Sequence, residues 1–227
     1  DSLISQFQDA FQKLGSVYVA DGHHRLAAAT ALNKHTKQWI STLYIPTSDL
    51  KIKPFHRMII PENKTLQESL AATVRKHYYV SAIPNNKPYR PDQMNRMGLY
   101  SDSVWYQLDL KKEIQTAVSA PDVLLLQEKI LEPVYGITDP RTDAQLSSFP
   151  AEDGWDQLLT ELVSHPEAVA FTLFPMTVKQ LIEQAENHGS LPPKSTWIEP
   201  KIPFGILIYC SEPASHSVGI PDPLEKS

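Results

Sequence analysis

One cysteine, Cys210, leaves no partner for an intramolecular disulfide, so the chain is not a disulfide-stapled secreted scaffold. No apolar run approaches the roughly 20 residues that cross a bilayer, and the polar opening at 1–14 lacks the apolar stretch of a signal peptide. Positive charge is not in excess: 21 Lys and Arg are scattered among 26 acidic residues, giving a net charge of −5. That balance argues against a broad duplex-binding face and leaves room only for a local basic pocket. The sequence also lacks a helix-turn-helix pattern, an internal repeat and a low-complexity tract. A cytoplasmic protein with a small-molecule partner is expected, with neither nucleic acid nor membrane as ligand.

The chain is long enough for a sizeable core, and two compact units fit its 227 residues as well as one. Leu3, Phe7, Ala10, Phe11 and Leu14 recur at helical spacing and predict an amphipathic opening helix. Strands are expected at Ser16 to Ala20, Trp39 to Pro46 and around Leu50 to Ile60, the last interrupted by Pro54. Thr65-Leu66-Gln67-Glu68 fits a capping box, with Leu66, Leu70 and Val74 on one face of the helix that follows. The proline-rich stretch Asn85 to Pro91 suggests a loose boundary. Beyond it, strands are expected at Gly98 to Leu110, Ala168 to Phe174 and Phe204 to Cys210. Helices are expected at Pro121 to Leu131, Trp155 to His165 and Thr177 to His188, with a second capping box at Thr177 and Gln180. The segment from Ser211 reads as a tail. This order gives an α+β class: mixed sheets with helices packed on them, divided as 1–84, 85–210 and a 211–227 tail.

The most informative stretch is Tyr18-Val19-Ala20-Asp21-Gly22-His23-His24-Arg25, which breaks from a β-branched run into an Ala- and Leu-rich helix. Such a turn leaves the first helical N–H groups unpaired at the positive end of the macrodipole, a seat for an anion and above all a phosphate. Arg25 adds a guanidinium able to grip phosphate oxygens in a fork. The same residues also suit a plain helix start, with Asp21 as N-cap, Gly22 supplying an unusual φ and a solvated first turn behind them. Adjacent histidines diverge by about 100° on a helix, so a metal-only site is the weakest of the three readings.

Further along, His56 and Arg57 end an extended segment and stand either as a second basic contribution to the site or as a surface pair. Gly189-Ser190-Leu191-Pro192-Pro193-Lys194-Ser195 ends like a P-loop, but its two prolines have no N–H to wrap a phosphate. Lys194 and Ser195 remain as side chains for an anion, or as a rigid turn before a strand. Gly-x-Ser-x-Gly is absent, and Cys210 closes an apolar run where a cysteine behaves as a small hydrophobe.

The Asp21 to Arg25 signature, Lys53-Pro54-Phe55-His56-Arg57, and Leu191 to Thr196 followed by Glu199-Pro200-Lys201 together resemble domain-of-unknown-function family 1015. That family is similar to the ParB and sulfiredoxin-like superfamily, which includes free-serine kinases. The resemblance implies a partial ParB/sulfiredoxin-like unit followed by a second α/β unit. It implies ATP or ADP as ligand, with phosphates held by Gly22, His23, His24 and Arg25, and with His56, Arg57, Lys194 and Ser195 as further contacts. Asp21 would meet magnesium or a substrate hydroxyl, and Asp21 and His24 would be the catalytic pair. Relatives carry a substantial segment with a catalytic glutamate before the signature, so this chain is read as a C-terminal portion. The function implied is a nucleotide-dependent phosphotransferase acting on free serine or another small hydroxyl metabolite. The alternative is a noncatalytic module that senses a nucleotide or phosphorylated metabolite. Reductase chemistry does not follow, because the loop carries histidines where sulfiredoxins place a cysteine.

Overall fold

The computed structural model describes residues 2–32, 40–63, 66–115, 120–187, 189 and 191–201. The chain forms two compact units, one holding the described residues up to Ile45 together with Lys201, the other Pro46–Pro200.

In the first unit, helix α1 (Ser2–Gln12) forms where the apolar spacing predicts it, and Phe11 meets Tyr44 edge-on at a centroid distance of 4.6 Å. Helix α2 (His23–Leu32) follows the Asp-Gly turn. The strands expected at 16–20 and 40–46 are absent, and Val17, Tyr18 and Val19 are exposed. β-branched residues favour a strand only when a neighbour completes the ladder, and no described strand pairs with either segment. Trp39 lies outside the described residues.

In chain order the second unit runs β1 (Lys51–Lys53), β2 (Phe55–Ile59), α3 (Leu66–His77), β3 (Tyr78–Ala82), β4 (Arg96–Ser101), β5 (Val104–Leu110), α4 (Asp122–Leu126), α5 (Glu132–Tyr135), β6 (Leu146–Pro150), α6 (Trp155–Ser164), β7 (Val169–Thr172), α7 (Val178–Glu186) and β8 (Trp197–Glu199). A π-helical turn, Gln127–Leu131, joins α4 to α5, so the helix expected from Pro121 is real but interrupted. Thr177 and Gln180 form the expected capping box at α7. Thr65, the strand expected at Phe204 to Cys210 and the 211–227 tail fall outside the described residues.

Six strands make one antiparallel sheet in the order β3-β5-β4-β7-β2-β6, and β1 pairs with β8 in a separate ribbon. The single strand expected at Gly98 to Leu110 is a hairpin instead. Asp102 and Ser103 both take left-handed φ values, 51° and 61°, the turn whose twist matches flanking antiparallel strands. β3 pairs with β5 across the proline-rich stretch that suggested a boundary, with Tyr78 opposite Leu110 and Ala82 opposite Tyr106. Asn86 fixes that stretch to the hairpin: its side chain donates to the Ser103 carbonyl and accepts from Trp105 N–H, each at 2.7 Å. The compact units accordingly divide at Ile45 and Pro46, not near residue 85.

Period-2 alternation gives this sheet two buried faces. Ile59, Leu99, Leu108 and Phe171 meet Leu70 and Val74 of α3 and the α4–α5 segment on one face. Met58, Trp105, Phe149 and Ala170 meet Leu158 and Leu162 of α6 on the other. The result is a mixed α+β architecture, as the pattern of elements predicts.

Candidate functional site

Gly22 adopts φ +87°, a region open to glycine and strained for other residues. Its N–H donates to Asp21 Oδ1 at 2.7 Å, and its carbonyl accepts from Leu26 N–H at 3.0 Å, the first bond of α2. Gly22 is therefore the residue at the cap, and the Asp21 carboxylate that precedes it holds the turn through the Gly22 N–H. A Cβ built on Gly22 would lie 3.0 Å from Arg25 Nη2 and 3.2 Å from Nε, so the guanidinium packs directly over this backbone. Glycine is needed here twice, for its φ and for that approach. Asp21 and Arg25 are both exposed. The backbone of His23 and His24 opens α2, and their side chains lie outside the described ones.

The second group of sequence-selected residues meets in the Pro46–Pro200 unit. β2 sets His56 opposite Phe149 and Arg57 opposite Ser148. Both side chains are 1% exposed, so the reading as a surface pair does not hold. Arg57 Nη1 donates to Ser148 Oγ at 2.5 Å, while Nη2 donates to the carbonyls of Pro193 and Lys194 at 2.9 and 3.0 Å. The Ser195 hydroxyl donates to the Pro192 carbonyl, closing the same turn, and Lys194 sits in it at φ +53° with its side chain exposed. Arg57, Lys194 and Ser195 are thus brought together, with Arg57 spending its fork on protein acceptors.

His56 Nδ1 accepts from Leu173 N–H at 3.2 Å, which assigns the ring proton to Nε2. That atom is buried without a protein partner. The ring stands edge-on to Trp155 at 5.5 Å, and the Arg90 guanidinium lies 4.0 Å over the Trp155 ring. Burial first, then Arg90 and Arg57, push His56 down to about 3. It is a neutral imidazole here, not a cation awaiting phosphate.

Two polar residues escape sequence reasoning. Asp122 is buried at the start of α4, where Oδ1 accepts from Asn95 N–H at 3.0 Å and Oδ2 has no partner; burial pushes it up to about 7. Its only sequence signal is an acidic residue at the head of the apolar run Val123-Leu124-Leu125-Leu126. Ser148 has no signal beyond strand alternation. Among the described residues no group of three or more His, Cys, Asp or Glu is placed to hold a metal, and no helix is long and apolar enough to cross a membrane.

A family model described as a protein of unknown function, DUF1015, matches residues 1–134. No curated protein matches the sequence. Among solved structures, C-terminally truncated SbnI from Staphylococcus aureus is similar at 15% identity and a TM-score of 0.48, over 79% of this chain and 62% of that one. A free serine kinase variant in complex with ADP is similar at 14% identity and a TM-score of 0.47, over 79% and 66%. A conserved hypothetical protein from Pyrococcus furiosus is similar at 13% identity and a TM-score of 0.45, over 82% and 71%. The chain spans less than two thirds of the length of the SbnI structure.

Proposed function

The chain belongs to the DUF1015 family, and we propose that it binds the phosphates of a nucleotide, ATP or ADP, at Asp21–Arg25 and serves phosphoryl transfer to a small hydroxyl metabolite such as free serine. The observation that carries this reading is the packing of Arg25 over Gly22. It sets a guanidinium beside the first turn of α2, where backbone N–H groups have no intrahelical acceptor. A ligand phosphate there meets the positive helix end and a permanent cation together.

In this proposal the phosphates rest on the first-turn N–H groups and Arg25, and Asp21 supplies the carboxylate for a magnesium ion shared with the phosphates. One carboxylate plus phosphate oxygens is an ordinary way to hold that ion. Bound nucleotide supplies the transferable phosphoryl group; the chain supplies position and charge neutralisation, the main needs of such transfer. His24 is assigned the acid–base part and His23 a phosphate contact, as the signature implies. Arg57 is assigned to holding the 192–195 turn of its own unit.

Calorimetric titration with ATP and ADP in magnesium, beside an Arg25→Ala variant of verified fold, tests the binding. Saturable binding that is lost in the variant supports it, and equal binding by both proteins refutes it. Phosphorus NMR with ATP and serine then separates the two classes: a new phosphoester signal identifies the transferase, while binding without turnover identifies the sensing module.

A further inference from the structure

Two ladder bonds fix which way the backbone of edge strand β6 faces. Ile60 N–H donates to the Gln145 carbonyl and Ala151 N–H to the Pro54 carbonyl. In the antiparallel register with β2, Gln145, Ser147, Phe149 and Ala151 therefore turn their backbone groups toward β2, and Leu146, Ser148 and Pro150 turn theirs outward, beyond the sheet. Most of that outer row is closed. Leu146 N–H reaches the Asp143 carbonyl at 3.4 Å, Pro150 has no N–H, and the Pro150 carbonyl accepts from Gly154 N–H at 2.8 Å. Three groups have no hydrogen-bond partner among the described residues: Ser148 N–H, Ser148 C=O and Leu146 C=O.

Beside this opening lies a cleft of about 360 Å³ whose walls belong to both faces of the sheet. Ser147 stands opposite Met58 and so lies on the face covered by α6, where Gln157 and Glu161 complete a polar wall. Ser148 sends its hydroxyl to the other face, where it accepts from Arg57, and Arg57 also fixes the turn that carries Lys194 into the lining. A polar cleft that straddles an edge strand beside unpaired backbone groups has the form of a missing strand. Side chains of an added strand alternate between the two walls. A residue opposite Ser148 faces the Lys194 turn, and its neighbour opposite Ser147 faces Glu161. A second copy of β6 fits worse. Paired antiparallel about Ser148, it sets Leu146 C=O against Pro150, which has no proton to give, and brings two Glu161 carboxylates to one face.

We propose that β6 receives an extended peptide segment as an added antiparallel strand, with an acidic residue opposite Ser148 and a basic residue next to it, opposite Ser147. The acidic residue donates its N–H to Ser148 C=O and accepts from Ser148 N–H, and the second residue after it donates to Leu146 C=O. Its carboxylate meets Lys194, and the basic side chain meets Glu161. The proposal stands independently of the Asp21–Arg25 reading, because every residue it uses lies in the Pro46–Pro200 unit.

Titration of the isotope-labelled full chain with the blocked peptide acetyl-Thr-Glu-Lys-Val-amide, followed by NMR, tests it. Saturable shifts of the Ser148 amide are expected. Methylation of the peptide's glutamate or valine nitrogen, each of which faces the edge, is expected to weaken binding at least about tenfold, while methylation of its lysine nitrogen, which faces away, is tolerated. The peptide with its two charges exchanged, acetyl-Thr-Lys-Glu-Val-amide, is expected to bind about tenfold more weakly. Lys194→Asn keeps a residue that tolerates left-handed φ and removes the charge. It is expected to weaken the first peptide about threefold and to leave a version with glutamine in place of glutamate unchanged, a coupling that a merely structural role would not produce. The proposal is overturned if the folded protein shows no saturable shift at Ser148, if the three methylated peptides bind alike, or if the charge-exchanged peptide binds equally well. Unchanged affinity in Lys194→Asn overturns it as well. Dimerisation that protects the Ser148 amide from exchange without peptide assigns the edge to a second copy, with the same consequence.

Discussion

Arg57 on β2 faces Ser148 on β6 across the outermost pair of the six-stranded sheet, and from there its guanidinium ties the sheet edge to the carbonyls of Pro193 and Lys194. A lysine has one compact ammonium and cannot span the same three acceptors. Arg57→Lys is therefore expected to destabilise the fold by about 2 kcal/mol, the cost of leaving buried acceptors unpaired. Urea denaturation checks this, and Ser148→Ala should lose about 1 kcal/mol by the same measurement.

Asp122 couples stability to pH. Its folded value of about 7 lies above the 3.8 of a free carboxylate, so the folded state holds the proton more tightly. The associated stability is fully present below about 3.8 and is lost as pH rises through about 7. Tyr78 is the titratable neighbour that feels this carboxylate, and burial and Asp122 both raise its hydroxyl. Asp122→Asn keeps an oxygen for Asn95 N–H and removes the charge. The variant should exceed the parent in stability at pH 8, and the gap should close toward pH 5, as measured by denaturation at each pH.

His56 has the opposite sign. Its folded value of about 3 lies below the ordinary 6.5, so its contribution is present above 6.5 and is lost as pH falls toward 3. Asparagine offers an oxygen in place of Nδ1 for Leu173 N–H and does not titrate. Arg90 and Arg57 remain as the cations facing the site. His56→Asn should show a shallower loss of stability between pH 6 and pH 4, whatever its starting stability.

Gly98 lies on β4 with no room for a side chain: an added Cβ would fall 2.1 Å from Thr172 Oγ1 and 3.2 Å from the Tyr89 carbonyl oxygen. Thr172 is buried and donates to that same carbonyl at 2.8 Å. Gly98→Ala is expected to cost about 3 kcal/mol, because relief of the overlap breaks the bond. Its melting temperature should fall by several degrees, and a fall within error would contradict the packing described.

Gly22 should behave differently, since the turn it occupies is exposed or half-exposed. Gly22→Ala strains φ +87° and displaces the Arg25 guanidinium. ATP affinity should drop about tenfold while the unfolding midpoint of the Pro46–Pro200 unit stays unchanged, as read by calorimetry and denaturation of one sample.

The sequence by itself determined the helices and the turn chemistry. Leu70 and Val74 face the core because helical spacing puts them on one stripe, and Thr177 and Gln180 close a capping box because both partners lie within one turn. Gly22 was legible as a backbone requirement for the same local reason. Tertiary structure alone decided which β-prone segments became strands, since a ladder needs a partner that local sequence does not name: Val17 to Val19 have none among the described residues, whereas Tyr78 to Ala82 found β5 across a proline-rich loop. It also decided the fate of His56 and Arg57, adjacent residues that look alike in sequence as exposed base. Strand alternation sends one to Trp155 and the other to Ser148 and the 192–195 turn, on opposite faces of a sheet covered on both. Burial then turned a supposed pair of ligand contacts into a neutral imidazole and a charged fastener, because the free energy of a charge depends on surroundings contributed by residues 91 to 137 positions away.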